Sequence, residues 1–254
     1  MAEAAPELET VPCLVLAGGA GTRLRPAIGE AAKPLASVGG RPFLDYLLEW
    51  LGAQGVRRIV LGLGYRAEEF QRRYGDGRAL GLAISYSLER EPQGTWGAIR
   101  FARQQLAGGS VFLACNGDSW LPVNLRDLLV HHVRRGALAT LALAQVADTG
   151  RFGRVQVDGQ ARVTGFHEKD RGGPGWINGG VYALAPAAFG LAPPMAASLE
   201  RDVLPHWLAG GGVHALPTPG TFLDIGTPED YRRLVAGATR WKRELREARG
   251  GTAC

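Results

Sequence analysis

A glycine-rich segment that follows a short apolar run constrains this chain most. Residues 11–16 read VPCLVL, and residues 17–21, AGGAG, follow directly. An apolar run that ends in glycines predicts a buried strand leading into a loop. Glycines leave the backbone N–H groups of the loop open to an anion, while Thr22, Arg23 and Arg25 add a hydroxyl and two guanidinium groups. The segment therefore predicts a site for a polyphosphate.

Strand-like and helix-like segments alternate through residues 11–146, which predicts an α/β fold with a mainly parallel sheet covered by helices on both faces. Ligands bind such sheets at the carboxyl ends of the strands. Both the glycine loop and Asp118 follow a predicted strand and should share that edge. The predicted strands are residues 11–16, 56–63, 82–88, 110–115 and 137–146, and the predicted helices are residues 41–54, 67–74, 95–106 and 124–135.

The pattern changes after residue 146. Asp158 and Gly159 separate two alternating segments, which is a strong hairpin signal, so the second half should add antiparallel strands. Thr227 before Pro228 predicts the capped start of a helix. The further predicted strands are residues 155–157, 161–166, 176–184 and 222–225, and the further helices are residues 199–208, bent at Pro205, and 228–246.

Length and composition bound the class of protein. The chain has 254 residues, of which 46% are hydrophobic and 21% charged, enough for one large domain at residues 11–254. Residues 1–10 are expected to form a disordered tail, and no apolar run is long enough to span a bilayer, so we expect a cytoplasmic protein with no membrane partner. Cys13, Cys115 and Cys254 are an odd number, far apart and without paired-cysteine spacing, which argues against a disulfide framework and a zinc site.

The net charge of +5 is modest, and the arginines are scattered along the chain. An anionic small substrate explains them at least as well as nucleic acid, and solvated helix faces account for most of them. We therefore expect no nucleic-acid partner. The five histidines lack the spacing of metal ligands. The sequence leaves a homo-oligomeric state open.

Two carboxylates, Asp118 and Asp224, stand at the ends of predicted strands. A divalent cation that bridges phosphate oxygens needs hard oxygen ligands, usually one or two carboxylates, so this pair suits magnesium. A turn or capping role is the alternative for a single aspartate at such a position. Lys33 could supply a further cation to a triphosphate, and Glu168 could accept hydrogen bonds from substrate hydroxyls while Lys169 pairs with a second phosphate. The alternative for these three residues is an exposed position.

Spacing excludes several other sites. The glycine loop is not a P-loop, because no Lys-Ser or Lys-Thr pair follows its last glycine. It is not a dinucleotide fingerprint, because Leu24 stands where the third glycine is needed. No serine lies in a nucleophile elbow.

Seven motifs in the right order, covering nearly the whole chain after residue 10, resemble the sugar-1-phosphate nucleotidylyltransferase family. Within that family, GRPFLDYLLEWL, INGGVY and SLERDVLP are most similar to D-glycero-α-D-manno-heptose 1-phosphate guanylyltransferases. The seven motifs are LAGGAGTRLRP with a following KP, EPQGTWGA, NGD, FGRV, FHEK, NGGVY and DIGTPEDY.

The resemblance implies a Rossmann-like nucleotide-binding sheet at residues 11–146, a sugar-phosphate-binding part at residues 147–230 and a C-terminal helix and tail at residues 231–254. It also implies a reaction in which an oxygen of a sugar 1-phosphate attacks the α-phosphorus of a nucleoside triphosphate, with GTP the first choice, and pyrophosphate leaves. One alternative is mannose 1-phosphate as the sugar substrate with GTP. Another is a different nucleotide, namely UTP, dTTP, CTP or ATP. A non-catalytic sugar-nucleotide sensor is another.

The resemblance further implies which residues meet each substrate. Those implied to contact the nucleotide are Leu16, Ala17, Gly18, Gly19, Gly21, Thr22, Arg23, Lys33, Glu91, Gly94, Thr95 and Asp118. Those implied to contact the sugar phosphate are Asn116, Gly153, Glu168, Lys169, Asn178 and Gly179. Those implied to act in catalysis are Arg23, Lys33, Asp118, Lys169 and Asp224, with Asp118 and Asp224 holding Mg²⁺.

The chain departs from the family pattern at Gln93 and Trp96, where a leucine and a small residue are expected. A bulky Trp96 beside the base or the sugar would change which substrate fits. Packing of Trp96 at the start of a helix is the alternative, and the one we favour.

Overall fold

Residues 4–167 and 172–249 are described by a computed structural model. The strands are β1 (Pro12–Leu16), β2 (Ser37–Val38), β3 (Arg41–Pro42), β4 (Arg58–Leu63), β5 (Ala83–Leu88), β6 (Phe112–Asn116), β7 (Ser119–Trp120), β8 (Ala139–Val146), β9 (Arg154–Val157), β10 (Val163–His167), β11 (Gly175–Leu184), β12 (Val213–Thr218) and β13 (Leu223–Asp224).

Ten α-helices lie in this described part of the chain. They are α1 (Arg25–Ile28), α2 (Phe43–Ala53), α3 (Ala67–Tyr74), α4 (Gly94–Phe101), α5 (Arg103–Leu106), α6 (Leu125–Arg135), α7 (Ala188–Leu191), α8 (Leu204–Leu208), α9 (Pro228–Ala236) and α10 (Ala238–Arg249). Short 3₁₀ turns occur at Thr22–Leu24, Lys33–Leu35 and Arg78–Leu80, and a π-helical turn at Leu199–Val203.

The central sheet has seven strands in the order β12-β8-β11-β6-β1-β4-β5. Strands β6, β1, β4 and β5 are mutually parallel, and β8 and β12 are parallel to each other. Strand β11 lies antiparallel between β6 and β8. Strands β9 and β10 form a separate antiparallel hairpin. The predicted α/β class, a mainly parallel sheet with an added antiparallel hairpin region, is confirmed.

The sheet is buried on both faces, as its continuous apolar strands predict. Successive residues of a strand point to opposite faces, so Leu14 packs into one hydrophobic cluster and Val15 into the other. Helices α2, α6 and α10 supply the cluster that contains Val15, and α4, α7 and α8 supply the cluster that contains Leu14. Cys13 and Cys115 are free and buried, which fits core packing.

Local capping sets several helix ends. Asn124 accepts a hydrogen bond from the backbone N–H of Asp127 at the start of α6, and Thr227 does the same for Asp230 at the start of α9. Two predicted helices are each divided in two, the first at Ala102 and the second at Gly237. Between residues 199 and 208 a π-helical turn precedes α8, and Pro205 stands in the first turn of α8, where its missing N–H costs little.

Several elements were not predicted. Strand β12 joins the sheet at its edge, parallel to β8, and this edge position tolerates Pro217. The described part of the predicted disordered tail packs on the domain instead, because Leu8 is buried and Glu7 pairs with Arg126 at 3.3 Å. No helix within residues 4–167 and 172–249 is long and apolar enough to cross a membrane.

Candidate active site

The glycine loop begins where β1 ends and is held against two neighbours. A Cβ on Gly18 would lie 3.1 Å from the backbone N of Gly64, just past the end of β4. Gly21 has a φ of +58°, and a Cβ there would lie 2.9 Å from Cβ of Lys33. Gly19 is exposed, and in the described chain no atom lies within 4 Å of where its Cβ would be. The loop is therefore packed on one side and open on the other, as a phosphate-binding loop requires.

The open side of the loop faces a cavity of about 250 Å³. Eight of its lining residues, Asp118 included, are among those predicted to meet the nucleotide. Its lining residues are Leu16, Ala17, Gly19, Gly21, Thr22, Arg23, Lys33, Pro34, Asp118 and Gly226. The predicted triphosphate residues thus come together around one cavity, which we call the phosphate cavity.

Lys33 and Asp118 form an ion pair at the wall of this cavity, with Nζ 2.5 Å from Oδ2. The Lys33 side chain is 12% exposed and that of Asp118 32% exposed. Lys33 opens a 3₁₀ turn that continues through Pro34, and Asp118 stands between β6 and β7. The pair brings a cation and a potential metal ligand to the same point.

Asp224 lies beside Asp118 because β13 pairs with β7. Asp224 stands opposite Ser119 in that pair, and the backbone N–H of Ile225 donates to the carbonyl oxygen of Asp118 at 3.0 Å. Burial raises the pKa of Asp224, and the negative charge of Asp118 raises it further, while Lys33 opposes them. Carboxyl groups whose pKa is raised by burial and a neighbouring negative charge are common at functional sites.

These two carboxylates are a donor set that fits magnesium, which binds few protein carboxylates and keeps water or phosphate oxygens as its other ligands. Within residues 4–167 and 172–249, no group of three or more His, Cys, Asp or Glu side chains could hold a metal ion. A metal at Asp118 and Asp224 would therefore depend on substrate oxygens or water for its remaining ligands.

A second cavity, of about 290 Å³, shares Leu16, Gly19 and Asp118 with the phosphate cavity. We call it the base cavity. Its other lining residues are Gly18, Gly62, Glu89, Pro92, Gly94, Thr95, Ala98 and Asn116. Gly94 and Thr95 were predicted here, whereas Asn116 was predicted to contact the sugar phosphate. Glu91 was predicted to contact the nucleotide, but it is exposed and does not belong to this lining set.

Glu89 was not predicted, and its environment is unusual. One carboxylate oxygen, Oε2, accepts a 3.4 Å hydrogen bond from the backbone N–H of Gln93. The other, Oε1, is buried and has no hydrogen-bond partner among the described residues. Burial raises the pKa of Glu89, with the Gln93 bond acting in the opposite direction. Glu89 directly follows β5, so the strand-end rule that found Asp118 could have found it.

Close packing accounts for the glycine at position 94 and for the tryptophan at position 96. Gly94 has a φ of +76°, and a Cβ there would lie 2.5 Å from the carbonyl oxygen of Ala197. Trp96 is 1% exposed and packs edge-on against Trp207 and at a tilt against Phe189. Trp96 lines neither cavity, so the interpretation of Trp96 as a core residue at a helix start is confirmed.

A third cavity, of about 460 Å³, lies on the side of the antiparallel hairpin, and we call it the hairpin cavity. Gly153 and Asn178, both predicted to contact the sugar phosphate, line it. Its lining residues are Phe152, Gly153, Arg154, Val155, Phe166, His167, Asn178, Ser198, Glu200, Arg201 and Pro205. Glu168 and Lys169 follow His167 in sequence and lie outside the described residues.

Gly179 is buried beside the hairpin cavity and does not line it. A Cβ on Gly179 would lie 2.9 Å from the carbonyl oxygen of Ala142. Gly180 has a φ of +74°, and a Cβ there would lie 2.7 Å from Nδ2 of Asn116. The glycine pair therefore allows the bulge in β11 to approach Asn116, and its role is one of close packing.

Residues 13–240 match the profile of the family described as Nucleotidyl transferase. The chain belongs to this family. The family predicted from the seven motifs is therefore confirmed.

Two curated relatives and one solved structure are similar to the chain. A D-glycero-alpha-D-manno-heptose 1-phosphate guanylyltransferase of Aneurinibacillus thermoaerophilus is 36% identical over 87% of this chain and 95% of its own length. A mannose-1-phosphate guanylyltransferase of Mycobacterium tuberculosis is 37% identical over 91% of this chain, which spans 65% of that relative. The crystal structure of HddC from Yersinia pseudotuberculosis complexed with GMP-PN has a TM-score of 0.79 and 32% identity, covering 90% of this chain and all of that one.

Proposed function

We propose that this protein is a sugar-1-phosphate guanylyltransferase that joins GTP and D-glycero-α-D-manno-heptose 1-phosphate into GDP-heptose and pyrophosphate. The observation that carries the proposal is the junction of the phosphate and base cavities at Asp118, with Lys33 and Asp224 beside it. A nucleoside triphosphate spans both cavities at once and presents its α-phosphate where they meet. Residues 11–146 would bind the nucleotide and residues 147–230 the sugar phosphate.

The choice of sugar is supported by two relatives that are named heptose 1-phosphate guanylyltransferases. The relative from Aneurinibacillus is 36% identical and a second one, from Campylobacter jejuni, is 34% identical, each over 87% of this chain. The mannose-1-phosphate relative from Mycobacterium is matched over 65% of its length. Mannose 1-phosphate is the second candidate, because that relative is the more identical in sequence, at 37%.

The proposed reaction forms a bond between an oxygen of the sugar 1-phosphate and the α-phosphorus of GTP. The bond from the α-phosphorus to the bridging oxygen breaks, and pyrophosphate leaves with its electron pair. Transfer of this kind needs positioning and stabilisation of negative charge more than a general acid or base. The loop N–H groups and Arg23 would hold the β- and γ-phosphates, and Lys33 would stabilise the charge that develops at the α-phosphate.

Asp118 and Asp224 would hold a magnesium ion, which when bound would neutralise charge on the phosphate oxygens. Asp118 also fixes the Lys33 ammonium at the wall of the phosphate cavity. Glu168 and Lys169 are proposed to contact the sugar phosphate together with Gly153 and Asn178, which line the hairpin cavity.

Glu89 supports guanine as the base. The Watson–Crick edge of guanine presents two adjacent donors, N1–H and the exocyclic amino group, and a carboxylate can accept from both. Uracil and thymine present one donor between two acceptors, and adenine and cytosine present a donor beside an acceptor. The buried Oε1 of Glu89, which has no hydrogen-bond partner among the described residues, is therefore matched best by guanine.

The test is release of pyrophosphate with each component supplied or withheld. We expect release only when GTP, a sugar 1-phosphate and magnesium are all present, and we expect it to be faster with the heptose 1-phosphate than with mannose 1-phosphate. Strong release with another triphosphate would overturn the base assignment, and binding without turnover across all pairs would favour a sensor. A cytoplasmic location is part of the proposal, since GTP and magnesium are available there.

A further inference from the structure

The carboxylate of Glu200 lies between the base cavity and the hairpin cavity and accepts three side-chain hydrogen bonds. Its Oε2 accepts from Thr95 Oγ1 at 2.7 Å and from Ser198 Oγ at 3.1 Å. Its Oε1 accepts from the hydroxyl of Tyr182 at 3.0 Å. The two carboxylate oxygens thus make contacts in different directions. Oε2 contacts Thr95 at the base cavity, and Oε1 contacts Tyr182 of strand β11.

On the base side, the start of α4 is fastened to the segment that carries Glu200. Thr95 Oγ1 accepts from the backbone N–H of Leu199 at 2.8 Å while donating to Glu200. The backbone N–H of Trp96 donates to the carbonyl oxygen of Ala197 at 2.8 Å. Thr95 lines the base cavity, and its hydroxyl is held in place by Glu200.

On the other side, Glu200 is connected to Asn178 in the hairpin cavity. The hydroxyl of Tyr182 accepts from Asn178 Nδ2 at 2.8 Å and donates to Glu200. Asn178 Oδ1 in turn accepts from the backbone N–H of Gly180 at 3.0 Å, which fixes the orientation of the amide. Tyr182 is fully buried, so this connection is shielded from water.

The local fold of residues 197–203 does not need Glu200 as a cap. Asp202 Oδ2 accepts from the backbone N–H groups of Ala197 and Ser198 at 2.9 and 2.7 Å. Ser198 Oγ accepts from the backbone N–H of Arg201 at 3.2 Å. These three backbone donors are satisfied by Asp202 and Ser198, so the Glu200 carboxylate is free to accept from the side chains of Thr95, Ser198 and Tyr182.

We propose that Glu200 is a positioning residue that couples the two substrate sites, so that binding of the nucleotide beside Thr95 strengthens binding of the sugar 1-phosphate beside Asn178, and the reverse. This inference rests on the proposed function. Coupling between sites is reciprocal and commonly changes affinity by about 5–150-fold. In Glu200→Gln, whichever way the amide turns, one of the two sides meets an NH₂ group in place of an acceptor.

The experiment measures the dissociation constant of the sugar 1-phosphate with and without a GTP analogue whose α,β-bridging oxygen is replaced by CH₂, in the presence of magnesium. The wild type should bind the sugar 1-phosphate at least about 5-fold more tightly with the analogue. In Glu200→Gln this factor should fall to near 1, whereas the dissociation constant of the analogue alone should change much less. Tyr182→Phe, which removes only the hydroxyl, should lower the factor too.

Asp202→Asn is the matched control, because it changes a carboxylate of the same turn that accepts from the backbone N–H groups of Ala197 and Ser198. It should lower thermal stability and keep the coupling factor of the wild type. Equal coupling factors in the wild type, Glu200→Gln and Tyr182→Phe, or a wild-type coupling factor of 1, would overturn the inference. The proposed function would still stand in that case if the wild type showed turnover. Absence of turnover and of binding in the wild type would instead overturn the proposed function.

Discussion

Lys33 Nζ lies 2.5 Å from Asp118 Oδ2, although 85 positions separate the two residues. The contact brings together the segment after the glycine loop and the end of the strand β6. It places a positive and a negative side chain near the junction of the phosphate and base cavities, where the proposed transfer at the α-phosphate would need a cation and a metal ligand.

Asp118→Asn should lower kcat by at least about 10²-fold, since it removes a metal ligand and the partner of Lys33. Pyrophosphate release at saturating magnesium is the measurement. Asp127→Asn, on the exposed face of α6, is the control and should remain near the wild type. An Asp118 variant within twofold of the wild type would remove this residue from the site.

Asp224→Asn should abolish turnover and at the same time raise the melting temperature measured without magnesium near pH 7. Burial raises the pKa of Asp224, so its ionised form is disfavoured in the folded state. For an acid with a raised folded pKa, stability is greatest below the unfolded pKa and is lost as the pH rises through the folded pKa. An asparagine cannot ionise and avoids this loss.

Magnesium should restore the stability of the wild type and leave Asp224→Asn much less affected, because a bound cation favours the ionised carboxylate. Thermal melting curves with and without magnesium give both shifts. An equal magnesium-induced shift in the two proteins would contradict the assignment of Asp224 as a ligand.

Glu89→Gln should reduce the preference for GTP over ATP. A glutamine offers one acceptor and one donor to the base edge, so the matching of two guanine donors is lost. The expected decrease in kcat/KM for GTP is about 5–150-fold, which corresponds to about 1–3 kcal/mol. Glu91→Gln should keep the wild-type ratio, because Glu91 is exposed outside the base cavity. The opposite ranking of the two variants would place the base beside Glu91.

His132 should make the free energy of unfolding decrease between pH 6.5 and pH 5. Burial lowers the pKa of His132 to about 4, aided by the charges of His131 and His214. The unfolded chain therefore binds more protons below about pH 6.5, and stability present above that pH is lost toward pH 4, at up to about 1.4 kcal/mol per pH unit.

Urea unfolding at pH 7 and pH 5 measures this decrease. His132→Gln should have a flatter dependence on pH than the wild type, with some slope left because the pKa values of His131 and His214 are also lowered. His206→Gln, on an exposed position of α8, should keep the wild-type slope. An unchanged slope in His132→Gln would contradict the neutral, buried state of this histidine.

The sheet and one edge of the site could be predicted because they depend on local patterns. Apolar runs gave the strands, and the rule for strand ends led to the loop and to Asp118. Strand β12 was missed because its short sequence includes Pro217 and its place in the sheet depends on pairing with the distant strand β8.

Glu200 could not be predicted in the same way. Its contact with Thr95 spans 105 positions, and no local periodicity encodes such a contact. Glu89 is a different case. Its position directly after β5 could be predicted from the sequence, but the burial of its Oε1 atom could not.

The most direct test of the account is a competition in one vessel. Equal concentrations of GTP, ATP, UTP, CTP and dTTP are incubated with D-glycero-α-D-manno-heptose 1-phosphate, magnesium and the protein, and the nucleotide sugars formed are identified by mass spectrometry. The account predicts GDP-heptose as the dominant product, with its share reduced in Glu89→Gln. A different nucleoside diphosphate heptose as the main product, or no nucleotide sugar at all, would contradict it.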